Sequence, residues 1–219
     1  MERSAKIALA GGGGAQDSRL LDEIFASWIG PQGKLLYLPI ALRGIRSFAS
    51  CFQWITGTFA PLGITGITMW TDLTEHRANE LEEFDAIYIG GGNTYLLMAE
   101  LINSSFDQHL RMYAHQGGII YGGSAGAVVL GKDIRTVTHM DRNHIGLTQV
   151  NCLNLAKNHS IWPHYQPGED KRIEEFVQNH KQPVLAISER SGVAMEWDKM
   201  HTVGFEPSYR FDNQGKFKI

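Results

Sequence analysis

Residues 117–129 read Gly117-Gly118-Ile119-Ile120-Tyr121-Gly122-Gly123-Ser124-Ala125-Gly126-Ala127-Val128-Val129. An apolar run stops in two glycines, and a serine then opens a stretch of small and aliphatic residues. The run has the length and composition of a buried strand, and the stretch after it reads as a helix start. Gly122–Gly126 fits G-x-S-x-G in the strand–turn–helix context that a nucleophile elbow requires. So sharp a turn strains the backbone at Ser124 and tolerates only small neighbours. It also exposes Oγ, next to a helix N-terminus that favours negative charge. On this pentapeptide alone, a glycine-rich turn that only packs closely is the competing reading.

The same punctuation recurs outward from it. Lys6–Ala10 (KIALA) is a short apolar run ending in Gly11–Gly14, and Asp85–Ile89 (DAIYI) ends in Gly90–Gly92. Lys34–Pro39, Gly66–Trp70, Gly118–Tyr121 and Pro183–Ile187 are further strands. Apolar residues at helical spacing predict helices over Ser18–Ile29, Phe48–Phe59, Thr94–Ile102, Phe106–Gln116 and Lys171–His180. Val193–Phe205 suggests a hairpin. Strands alternating with helices imply an α/β fold of three layers, a mainly parallel sheet flanked by helices in the flavodoxin-like manner. Sites in such folds lie at the carboxyl ends of strands, where all three glycine clusters fall.

Composition bounds the function. The chain has 219 residues, 20 Lys plus Arg against 23 Asp plus Glu, and a net charge of −3. That length suits one domain over 1–219, and the near balance of charge leaves no footprint for nucleic acid or an anionic membrane. Glycine stands out, at 24 residues. Cys51 and Cys152 have no disulfide or metal spacing, which fits a reducing compartment. MERSAKIALAGGGG is too short in apolar residues for a secretory leader, so the cytoplasm is expected. A homo-oligomer is left open.

A serine hydroxyl needs a base. Of nine histidines, His164 follows the apolar stretch Ile161-Trp162-Pro163, where it can face the cleft, with His139, His144 and His159 as competitors. Ile89-Gly90-Gly91-Gly92-Asn93-Thr94 follows a strand and opens a helix, so its N–H groups suit a phosphate or an oxyanion. It lacks the lysine of a Walker loop, and Gly11–Gly14 fails the dinucleotide spacing at Gln16 or Asp17. His139, Asp141 and His144 match no zinc motif. No cofactor and no metal are expected.

Three segments together, IYIGGGNTYLL at 87–97, GGIIYGGSAGAVV at 117–129 and CLNLAKNHSIWPHY at 152–165, resemble the peptidase E family of serine peptidases. This family includes aspartyl dipeptidases and cyanophycinases, with a fold similar to class I glutamine amidotransferases. The resemblance covers roughly residues 5–190. It implies Ser124 as nucleophile, His164 as general base and the backbone N–H groups of Gly92 and Ala125 as an oxyanion hole. Gly91, Asn93 and Gly123 become candidate substrate contacts. For the third triad member it points to Asp141, since His139 stands where dipeptidase E carries its aspartate. Glu169 stands where the aspartyl dipeptidases carry an arginine, so their Asp-X specificity does not transfer. The implied activity is cleavage of short peptides through an acyl-enzyme. The rivals are an amidase or esterase on the same site and a binding protein that has lost the acid.

Overall fold

The computed structural model describes residues 5–219. Residues 1–4, the head of the stretch read against a leader, lie outside the described residues. The strands are β1 (Lys6–Ala10), β2 (Lys34–Leu38), β3 (Gly66–Met69), β4 (Ala86–Ile89), β5 (Ile119–Gly123), β6 (Ser160–Trp162), β7 (Val184–Ala186), β8 (Ser191–Glu196), β9 (Lys199–Gly204), β10 (Tyr209–Asp212) and β11 (Gly215–Lys218). Seven of them form one sheet in the order β3-β2-β4-β5-β1-β8-β9. Its first five are parallel, and the β8–β9 hairpin adds two antiparallel strands beside β1.

Alternation along each strand builds the two outer layers. Leu36, Leu38, Ile87, Ile89, Ile7 and Leu9 face one core, while Leu35, Tyr37, Ala86, Tyr88, Ala8 and Ala10 face the other. Helices α3 (Thr94–Asn103), α4 (Phe106–His115) and α5 (Ala125–Leu130) cover the first face. Helices α1 (Arg19–Ile29) and α2 (Phe48–Phe59) cover the second. Helix α1 is amphipathic, with Leu21, Asp22, Phe25 and Ala26 as its buried stripe. All six residues of α5 are buried, as an all-apolar helix requires. The three-layer, mainly parallel architecture expected from the sequence is present.

The sequence pattern did not show the second sheet, β11-β10-β7-β6. Its strands have only three or four residues, too few for a periodicity, and β10 and β11 lie in a polar stretch. It buries Ile161 and Leu185 toward the main core, and Trp162, Val184, Ala186 and Phe211 toward α6 (Asp170–His180). Lys216 Nζ ties its edge to the segment after β6, donating to Tyr165 Oη at 2.7 Å and to Asp170 Oδ2 at 2.8 Å. Among the described residues, no helix is long and apolar enough to cross a membrane.

Two carboxyls are buried in this framework: Asp133 pairs with Arg135, whereas Asp22 has no cationic partner among the described residues. Asp22 is 2 % exposed and accepts a hydrogen bond from Ser18 Oγ at 2.8 Å. Burial pushes its carboxyl up to about 6. The folded state therefore holds a proton that the unfolded chain releases near pH 4, and stability falls as pH rises from there through 6. The whole effect is on the order of 3 kcal/mol. Urea unfolding of Asp22→Asn is expected to lose most of this slope and to gain on the parent at pH 7.5. Parallel profiles for the two proteins between pH 4 and 7 would exclude it.

Candidate active site

The turn between β5 and α5 holds Ser124 at φ 49° and ψ −107°, a conformation that L residues rarely adopt. Its neighbours have to be small. A Cβ on Gly122 would come within 2.6 Å of the Gly126 carbonyl oxygen, and one on Gly126 within 2.8 Å of the Ile89 carbonyl carbon. The Ser124 N–H donates to the Ala10 carbonyl at 3.1 Å, so the end of β1 fixes the serine.

His164 reaches the serine from the second sheet. It follows β6 by two residues, takes φ 53°, and its N–H donates to the Gly11 carbonyl at 2.8 Å. Ser124 Oγ and His164 Nε2 lie 2.8 Å apart. His164 Nδ1 lies 2.9 Å from Glu189 Oε1. A carboxylate only accepts, so Nδ1 carries the proton there and leaves Nε2 free to accept from the hydroxyl.

Glu189 is the carboxylate that sequence reasoning missed. It lies in the loop between β7 and β8, with its side chain 59 % exposed. Asp141, expected in that position, is turned elsewhere. Its Oδ2 accepts from the Thr94 N–H at 2.7 Å, capping the first turn of α3, where unpaired N–H groups and the helix dipole attract a carboxylate. Its other oxygen has no partner among the described residues. His139 is not on the histidine either: its ring stacks on Trp162 with centroids 4.7 Å apart. Burial holds its pKa below the ordinary value, with the Arg172 charge adding to that. Glu169 lies 3.5 Å from His139 Nε2 and accepts the Gln166 N–H at 2.9 Å, so it is engaged locally.

The glycine clusters explain how these segments come so close. A Cβ on Gly12 would lie 2.6 Å from His164 Nε2, one on Gly11 2.5 Å from the Ser188 carbonyl carbon, and one on Gly13 would strike the Glu189 carbonyl. Gly12 also holds φ +117°. Gly11–Gly13 is thus the floor on which the histidine and the Glu189 loop sit. Gly92, at φ +129°, lies too close to the Ala41–Leu42 backbone for any side chain. Its N–H has no acceptor among the described residues. The Ala125 N–H, at the first position of α5, has none within its helix. Asn93 is not a cleft residue: its side chain accepts from Leu96 N and donates to the Arg142 carbonyl, both at 2.9 Å.

Two cavities meet at Ser124. One, of about 340 Å³, is lined by Tyr37, Arg46, Cys51, Trp54, Tyr88 and Gly123 among others. The other, of about 480 Å³, holds His164, Glu189, Asp141, Met140, Gly92 and Thr94. Gly91 borders both. Among the described residues, no group of three or more His, Cys, Asp or Glu is placed to hold a metal ion.

Comparison with known proteins finds similarity along most of the chain. The profile of peptidase family S51 matches residues 7–203. The chain is 31% identical over 189 residues to a peptidase E of Shewanella baltica, covering 81% of this chain and 77% of that one. It is 29% identical over 192 residues to a Drosophila melanogaster protein named probable alpha-aspartyl dipeptidase, covering 83% and 77%. Several other peptidase E relatives align over about three fifths of their own length. The crystal structure of a peptidase from an acI-B1 Actinobacterium superposes with a TM-score of 0.73 at 18% identity, over 99% of this chain and 94% of that one, and so shares the fold.

If Gly12 is what admits the imidazole, Gly12→Ala is expected to open the Ser124–His164 contact beyond 3.5 Å in a crystal structure. The positive φ should also lower stability by about 1–3 kcal/mol. A variant structure that keeps the 2.8 Å contact would refute the role given to this glycine.

Proposed function

The chain belongs to peptidase family S51, and from that premise we propose that it is a serine-type exopeptidase cleaving short peptides through an acyl-enzyme on Ser124. The unit is taken as one domain over 1–219. The observation that carries the reading is the continuous relay from Ser124 Oγ to His164 Nε2 at 2.8 Å and from His164 Nδ1 to Glu189 Oε1 at 2.9 Å.

In this scheme the strained turn acts as a nucleophile elbow, and Oγ attacks the scissile carbonyl while Nε2 takes its proton. Glu189 holds the imidazole in the required tautomer and stabilises the imidazolium that forms. The unpaired N–H groups of Gly92 and Ala125 receive the developing oxyanion, each worth on the order of 3 kcal/mol of barrier. The imidazolium then protonates the leaving amine, and water repeats the sequence on the acyl-serine. This chemistry calls for no metal or cofactor. Asp141, with one carboxylate oxygen unpaired in the acidic cavity, suits the α-ammonium of a peptide's first residue, which favours action from the free N-terminus. The cysteines are free and buried, which fits a reducing compartment, and we assign the activity to the cytoplasm.

A fluorophosphonate probe is expected to label the wild type at Ser124 and not Ser124→Ala; an unlabelled wild type would sink the covalent mechanism. Glu189→Gln is expected to lower kcat by about 10²-fold, less than for a fully buried triad acid because water can partly replace it. Asp141→Asn should act mainly on KM. The reverse pattern in steady-state kinetics would return the triad acid to Asp141.

A further inference from the structure

The cavity on the aromatic side of Ser124 is lined by a cation with no ion-pair partner among the described residues. Arg43 and Arg46 are three residues apart on the segment that leads into α2. Arg43 is locked: it donates to Glu100 Oε2 at 2.9 Å and to the Thr71 carbonyl at 2.7 Å, and so anchors the loop to α3. Arg46 pairs with no carboxylate among the described residues, yet it lines the same cavity as Ser124. Its charge also opposes the upward push of burial on the thiol of Cys51, another residue of that lining. An unpaired guanidinium lining the same cavity as a nucleophile is a ready partner for a planar carboxylate.

The remaining walls are apolar and shaped. Trp54 stands over Tyr37 and Tyr88, with centroids 6.4 and 5.9 Å apart, and stays 38 % exposed. At about 340 Å³ the cavity is near the small end of ligand pockets, which run roughly 300–1,000 Å³. The cavity across Ser124 carries the opposite charge, with Asp141 and Glu189 in its lining. A free dipeptide has this same polarity, an ammonium at one end and a carboxylate at the other.

Resting on the serine-peptidase reading above, we infer that Arg46 is a specificity-determining residue: it binds the free α-carboxylate of the leaving residue, whose side chain packs on Trp54. A third residue would carry the carboxylate about 3.5 Å farther from the scissile bond, away from Arg46.

The test uses dipeptides of varied first residue ending in phenylalanine, each paired with its C-terminal amide. The wild type should favour the free acid, chiefly through KM. Arg46→Ala should reduce the acid-to-amide ratio of kcat/KM by roughly 10- to 100-fold, the range of a hydrogen bond to a charged group. Arg46→Lys should keep part of the preference and Arg46→Glu should invert it. Calorimetry of the same pairs on Ser124→Ala should show the same ranking without turnover. An equal loss on acid and amide in Arg46→Ala would overturn the inference. So would a loss confined to an Asp-over-Asn preference in the first residue, which would put the carboxylate on the acyl side. Probe labelling at Ser124 with no dipeptide cleaved refutes the role given to Arg46 but keeps the nucleophile, whereas absence of labelling refutes the reading beneath it.

Discussion

The site depends on one steric constraint, the lack of side chains where β1 ends. Three segments distant in sequence converge there. Ser124 hangs on the Ala10 carbonyl, His164 hangs on the Gly11 carbonyl, and the Ser188–Glu189 backbone lies where a Cβ of Gly11 or Gly13 would be. Any larger residue at these positions would separate serine, histidine and glutamate together. Ser124 and His164 both hold positive φ, and strain of this kind costs about 1–3 kcal/mol per residue. Five parallel strands covered on both faces supply the rigidity that maintains it.

The layering also divides the cleft by charge. Helix α2, the segment leading into it and the ends of β2 and β4 place aromatic rings and Arg46 on one side of the serine. The segment around Asp141 and the loop after β7 place carboxylates on the other, beside the start of α3. The second sheet brings the histidine, with Lys216 fastening its edge to Tyr165 and Asp170. The cleft therefore carries opposite charges on the two sides of Ser124.

The main sheet was legible because four of its five parallel strands are apolar runs whose alternate residues serve two cores, and three of them stop in glycine. The serine was legible because G-x-S-x-G needs small residues for a local steric reason that a sequence displays. The acid was not. Asp141 and Glu189 are both acids near strand or helix ends, and side-chain direction decides between them. Asp141 is drawn to the unpaired N–H of Thr94, while Glu189, exposed in its loop, has the look of a solvated turn residue. The available clue was its place just past a buried strand, where such sheets build their sites. Gly11–Gly13 was equally opaque, because the His164, Ser188 and Glu189 atoms that crowd it lie more than 150 residues away.

By itself the sequence determined the fold class, the turn that carries Ser124 and the family resemblance, all of which rest on local pattern and short spacing. Only the tertiary structure decided which carboxylate meets His164, why Gly11–Gly13 have no side chains, and that Arg46 lines the serine's cavity. Those are contacts between remote segments, and local periodicity carries no information about which remote backbone a side chain will meet.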